Sequence, residues 1–248
     1  MTKLAMVLLS GGLDSATAAA QILRDGAELS ALTVHYGQSH AREIEAARRV
    51  AEALDIPHRI VEAASFRDLA SYSALTQPDQ HPRPVDRDPE MMSGDIPVTY
   101  VPLRNTYLLT LAAAALESLA LAAIESRRAN PADLTVTIVI GANAIDYSGY
   151  PDCRPEYYRA ISEALRLGSK IGTTYGVPIS IKTPLIEKTK ADIVRLASDL
   201  GVPLEHTWSC YGPGPFPCGR CDSCLLRAKG FHEAGLTDPA FDASRVKA

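Results

Sequence analysis

Leu4-Ala5-Met6-Val7-Leu8-Leu9-Ser10-Gly11-Gly12-Leu13-Asp14-Ser15 opens on six consecutive apolar residues and closes on a polar string built around two glycines. An apolar run of strand length that stops at Gly-Gly predicts a buried strand feeding a turn. The alanine-rich stretch 14–24 predicts the helix that follows. Free N–H groups at such a helix start point at an anion, and glycine lets the backbone approach it closely. Ser10 and Ser15 add hydroxyl donors, and Asp14 is placed to cap the helix or to hold a magnesium ion. Residues 9–15 therefore read as a phosphate-binding loop, with a tight turn and a good helix cap as the plainer alternative. No lysine follows the glycines, so this is not the Gly-x-x-x-x-Gly-Lys-Ser/Thr loop, and no Gly-x-Gly-x-x-Gly string is present.

The same alternation continues outward from this loop. Residues 29–36, 58–61, 134–140 and 179–181 are strand candidates, while 41–54, 103–127, 155–167 and 190–200 carry helical patterns. Apolar strands separated by helices predict an α/β fold, a doubly wound parallel sheet covered on both faces. In such sheets ligands sit at the carboxyl ends of strands. His35, Tyr36 and Gln38, at the end of the second strand, are therefore expected beside the loop as nucleotide contacts.

The chain has 248 residues, enough for one large domain with a small appendage, here divided at 1–202 and 203–248. A net charge of −4 argues against a protein that neutralises a long run of phosphates, so no nucleic-acid partner is expected. The apolar start lacks a basic region and a small-residue cleavage site, which reads as cytoplasmic. Residues 106–124 are apolar enough to be mistaken for a membrane span. Their weight is mostly alanine, and they contain Glu117, so a core helix and no membrane partner are expected.

Two stretches break the rhythm. Residues 76–102 hold six of the seventeen prolines, too long a connection to be ordinary, and lids or disordered segments have that length. Residues 203–224 hold four more prolines and four of the five cysteines: Cys210, Cys218, Cys221 and Cys224. Structural disulfides are rare in the cytosol, so the cluster reads as a metal site. Four thiolates at this spacing suit tetrahedral zinc, which would order a segment too poor in apolar residues to do so itself. An iron–sulfur cluster is the rival, and a brown chromophore would reveal it. Cys153 stands alone and reads as a minor structural residue.

The string 141–155, Gly-Ala-Asn-Ala-Ile-Asp-Tyr-Ser-Gly-Tyr-Pro-Asp-Cys-Arg-Pro, follows a strand and precedes a helix. Tyr147 and Tyr150 are suited to stack on a flat heterocycle, and Asp146, Asp152 and Arg154 to read its edge or a carboxylate. The loop Ser10–Ser15 resembles the PP-loop of the ATP pyrophosphatases, Rossmann-like enzymes that cleave ATP between the α and β phosphates to adenylate an oxygen. Together with the 141–155 string, His35-Tyr36-Gly37-Gln38, Thr183-Pro184-Leu185-Ile186, Lys190-Ala191-Asp192-Ile193-Val194 and Thr207-Trp208-Ser209-Cys210, it closely resembles the 7-cyano-7-deazaguanine synthase family. One departure is Val101-Pro102-Leu103-Arg104-Asn105, where the family pattern leads us to expect glycine in place of Leu103.

The resemblance implies an ATP-dependent carbon–nitrogen ligase of queuosine biosynthesis. It would convert 7-carboxy-7-deazaguanine and ammonia to the nitrile through adenylation, amide formation and dehydration. Structural zinc and Mg²⁺ are the implied metals, small molecules the partners and a homodimer the expected assembly. The implied nucleotide site comprises Leu9, Ser10, Gly11, Gly12, Leu13, Asp14, Ser15, His35, Tyr36, Gln38, Arg104 and Asn105. Asp14 and Lys190 are the implied catalytic pair, with Arg104 and Arg220 as further candidate cations. Asn143, Asp146, Tyr147, Tyr150, Asp152 and Arg154 are the implied substrate contacts. Alternatives are another PP-loop amidotransferase or NAD-synthetase-like ligase, a tRNA-modifying PP-loop enzyme, and a zinc-stapled nucleotide sensor.

Overall fold

The computed structural model describes residues 2–37, 41–88, 92, 96–143 and 150–241. Five strands form one fully parallel sheet among the described residues: β1 (Thr2–Leu8), β2 (Glu28–His35), β3 (His58–Glu62), β4 (Leu134–Val139) and β5 (Ile179–Lys182). Their spatial order is β3-β2-β1-β4-β5, so the chain winds outward to β3 and then crosses back to the other side of β1. That reversal is the topological switch point of a doubly wound fold, where ligands bind.

Alternation along β1 divides the core. Met6 and Leu8 point to one face, where they pack with Leu32, Val34, Ile138 and the helix α4 (Arg104–Leu121). Ala5, Val7 and Leu9 point to the other face, under α1 (Leu13–Arg24), α2 (Ala41–Ala53) and α7 (Lys190–Asp199). Burial on both faces is why the strands read as continuous apolar runs. A one-turn α3 (Phe66–Leu69) follows β3, while α5 (Pro155–Gly168) and α6 (Lys170–Thr174) lie between β4 and β5.

The long apolar segment is a core helix continued by one π-helical turn, Ala122–Ser126. Over Arg104–Ser126 it has the length and mean hydropathy, 1.9, of a membrane span. It nevertheless lays Leu109, Ala112, Leu116 and Ala120, each at 0% exposure, into the core cluster on the β1–β4 side of the sheet. It begins one residue later than the sequence pattern suggests, because Leu103 adopts a left-handed conformation at the cap, φ 54° and ψ 22°.

The last helix, α8 (Asp222–Ala234), packs on α7 and inserts Phe231 into the same core cluster as α1 and α2. Buried Arg227 on α8 donates to Asp238 from Nε at 2.6 Å and to the Thr207 hydroxyl at 2.9 Å. This satisfied pair ties the C-terminal segment to the loop that precedes the cysteines.

Candidate active site and metal centre

The loop after β1 is shaped by contacts that glycine alone permits. Gly11 has φ +80°, and a Cβ there would lie 2.4 Å from the Glu43 carbonyl oxygen and 2.6 Å from the Ala47 nitrogen on α2. Ser15 Oγ accepts from the Ser10 backbone N–H at 3.2 Å and lies 3.1 Å from Ser10 Oγ, which curls the loop over the start of α1. On the neighbouring strand exit, a Cβ at Gly141 would sit 2.8 Å from the Asp14 carbonyl carbon and oxygen. The ends of β1 and β4 therefore meet the first turn of α1 at the switch point.

A cavity of about 330 Å³ opens here. At one end are Ser10, Gly12, Asp14 and Ser15, with Lys190 from the first turn of α7. Lys190 Nζ donates to both Asp14 carboxylate oxygens, at 2.9 and 2.7 Å. Lys190 is thus held in an ion pair and is largely buried. α8 makes room for it at Gly230, where a Cβ would come within 2.4 Å of Lys190 Cγ.

The other end is lined by Tyr36, Arg104, Asn105, Tyr150 and Cys153. Burial opposes the Arg104 charge, yet the neighbouring Tyr36, Tyr150 and Asp152 hold it firmly protonated. Asp152 is 5% exposed and accepts from the Asn105 N–H at 3.2 Å; burial pushes its carboxyl up, while Arg104 and that N–H pull it down. Tyr150 shares a 2.8 Å hydroxyl contact with Thr99. Burial pushes the Cys153 thiol up to about 11, so it stays neutral and is not a poised nucleophile. Asn143 lines the cavity and donates to the Lys188 carbonyl at 2.6 Å.

Gly11 and Asp152 are not on the cavity wall, and three further sequence candidates lie elsewhere. His35 pairs with Glu62 at 2.7 Å across the ends of β2 and β3 and is absent from the cavity wall. Arg154 is exposed at the cap of α5. Arg220 pairs with Asp86 at the surface, so its charge is spent away from the loop. Gln38, Asp146 and Tyr147 lie outside the described residues.

The four clustered cysteines converge: their sulfurs all lie within 4.8 Å of one another and none forms a disulfide. Tetrahedral zinc with bonds of about 2.3 Å needs sulfurs about 3.8 Å apart, so this set fits the ion. Backbone N–H groups of Gly212 and Cys218 donate to Cys210 Sγ at 3.1 and 3.2 Å. Hydrogen bonds from Cys221 and Cys224, then these N–H groups, lower the Cys210 thiol, while the same network raises that of Cys224. The proline-rich segment docks on this module. Val85 bridges to Cys221, and Arg87 pairs with buried Asp222.

A family model described as queuosine biosynthesis protein QueC matches residues 4–235. The chain belongs to the QueC family. It is 48% identical over 237 residues to the 7-cyano-7-deazaguanine synthase of Thermoplasma acidophilum, covering 96% of this chain and 91% of that one. It is also 48% identical over 238 residues to the protein of the same name from Trichodesmium erythraeum, covering 95% and 98%. Among solved structures it is similar to NMN synthetase from Francisella tularensis, 18% identical, covering 95% of this chain and 78% of that one, TM-score 0.42. That last likeness is too slight to bear on function.

This QueC-family enzyme also lines its cavity with residues that sequence reading did not single out for it: Glu43, Ser209, Tyr211, Asp222, Ser223 and Leu226. Glu43 sits on α2 in a charged helical repeat like any solvated face, so no local signal marks it. Trp208, part of the Thr207–Cys210 string that carries the family resemblance, lines the cavity too. Its backbone N–H donates to the Gly11 carbonyl at 2.8 Å, and Arg42 lies 5.4 Å above its ring. The cysteine module is thereby fastened to the glycine loop after β1.

Proposed function

We propose that the enzyme converts 7-carboxy-7-deazaguanine, ammonia and ATP to 7-cyano-7-deazaguanine, AMP and pyrophosphate. The observation that carries the reading is one cavity joining a phosphate loop and the Asp14–Lys190 pair to a polar and aromatic end. A carboxylate is a poor electrophile, so its oxygen is first adenylated and ammonia then displaces AMP. The amide oxygen is adenylated in turn, and elimination of AMP leaves the nitrile.

In this reading Ser10–Ser15 and the start of α1 receive the phosphates of ATP, and Lys190 neutralises the pyrophosphate as it separates. Asp14 orients Lys190 and is the residue to hold Mg²⁺, whose charge would stabilise the same leaving group. Arg104 faces the substrate carboxylate, Tyr150 offers a ring to the heterocycle, and Asp152 reads a donor edge. Cys210, Cys218, Cys221 and Cys224 would hold zinc as a structural ion, since four protein ligands leave no position for substrate. The small-molecule partners, a cytoplasmic setting and a homodimer complete the reading.

Mass spectrometry of the product is the test. Incubation with the carboxylate, ATP and ammonia is expected to yield the nitrile with AMP release, and a reaction that stops at the amide contradicts the second half.

A further inference from the structure

We propose that Glu43 is the group that accepts the protons shed by the reacting nitrogen; this rests on the carboxylate-to-nitrile reading. The chemistry demands such a group. Nitrogen enters as NH₃ and ends in C≡N, so its hydrogens must all leave as protons. One leaves when ammonia bonds to the acyl carbon and the C–O bond to AMP breaks. A second leaves when the amide oxygen attacks the α-phosphorus and pyrophosphate departs. The third leaves when the imidoyl adenylate collapses: the N–H pair becomes the last C–N bond, and the C–O pair departs on AMP. Each proton needs a base within the cavity, which then returns it to solvent.

The geometry singles out Glu43. Its carbonyl oxygen lies 2.4 Å from where a Cβ of Gly11 would be, which puts the first turn of α2 directly on the Ser10–Ser15 loop. Its side chain is half-buried on the cavity wall and makes no hydrogen bond or ion pair among the described residues. The other candidates are engaged. Both Asp14 oxygens accept from Lys190. Asp152 is buried against Asn105, Cys153 is a neutral thiol, and His35 pairs with Glu62 off the cavity wall.

Glu43 is faced by Arg104 from α4 and Tyr36 from the end of β2, with the Asp14–Lys190 pair of α1 and α7 on the same cavity. Burial pushes its carboxyl up to about 7 against the pull of Arg104. A base with that value accepts and releases protons near neutral pH. Arg104 also keeps a protonated Glu43 from trapping its proton, since the cation favours the carboxylate.

Two readouts on Glu43→Gln, with Glu43→Asp beside it, test the proposal. Exchange of labelled pyrophosphate into ATP, driven by the carboxylate without ammonia, reports the first adenylation; mass spectrometry reports nitrile. Glu43→Gln is expected to keep exchange within about twofold and to lose nitrile formation by roughly 100-fold or more. At constant free ammonia, the acidic limb of the wild-type pH profile, with its midpoint near pH 7, is expected to vanish with it. Glu43→Asp is expected to fall between the two. Wild-type nitrile formation in Glu43→Gln overturns the proposal, as does equal loss of exchange and product, which would make Glu43 a nucleotide-positioning group. Should Glu43→Gln fail to fold, a wild-type nitrile rate that is flat from about pH 5.5 to 8 overturns it. Absence of carboxylate-driven exchange in the wild type instead overturns the function on which the proposal rests.

Discussion

Leu103 is held at φ 54° with 64% of its surface exposed, so it bears the cost of a left-handed backbone without burying its side chain in return. That cost is about 1 kcal/mol for an L-residue and nearly nothing for glycine. Leu103→Gly is therefore expected to raise stability by about 1 kcal/mol in urea denaturation. An unchanged midpoint would mean the conformation is not costly. The family pattern anticipated glycine here, and the backbone supplies the physical reason. Glu43 makes a second residue-scale statement. Its carboxyl is raised from the ordinary 4.5 to about 7, so between those values the native state holds a proton that the unfolded chain has released. Stability then falls as pH rises through that window. Glu43→Gln is expected to stabilise the protein at pH 8 by on the order of 1–2 kcal/mol and to leave it unchanged at pH 4, where both states are protonated. Equal stability of variant and wild type at pH 8 would show that Glu43 is not strained by burial.

At the scale of elements, α1, α7 and α8 act as one unit around the Asp14–Lys190 pair. Asp14 lies in the first turn of α1, Lys190 opens α7, and Gly230 of α8 supplies the space for the lysine stem. α7 is fixed at that end by a capping box, with Thr189 and Asp192 bonding each other's backbone N–H groups. Gly230→Ala is expected to displace Lys190 from Asp14, reduce turnover at least about tenfold, and cost roughly 1–3 kcal/mol of stability. Wild-type turnover in that variant would detach Lys190 placement from catalysis. Strands and helices were legible in the sequence because their apolar periods are set by burial on two faces and on one. The loop after β1 was legible as a turn because a strand, two glycines and a helix start are contiguous. Contacts between segments far apart in the chain were not. Arg87 meets Asp222, and Arg220 meets Asp86, across more than a hundred residues. No local pattern announces such pairs, so Arg220 looked available for phosphate. His35 looked like a nucleotide contact for the opposite reason: the strand end is in the right place, but its ring turns to Glu62 on β3.

For the molecule as a whole, the cysteine module is a clasp joined to the phosphate loop through Trp208 and Gly11 and to the proline-rich segment through Val85 and Cys221. Metal loss should therefore be felt beyond the module. Chelation is expected to remove about one zinc per chain, lower Tm by on the order of 10 °C, and weaken ATP binding. A chelated protein with unchanged Tm would deny the ion its structural role, and a brown chromophore would assign an iron–sulfur cluster instead. Toward the other end of the chain, the cavity beside Ser10–Ser15 is proposed to activate an oxygen by adenylation. The most direct measurement uses substrate carrying oxygen-18 in its carboxylate, followed by mass spectrometry of the released nucleotide. Adenylation of both oxygens in turn transfers each one to a phosphate, so all the AMP formed is expected to carry the label, with two AMP per nitrile. Unlabelled AMP, or ADP in its place, would contradict the account.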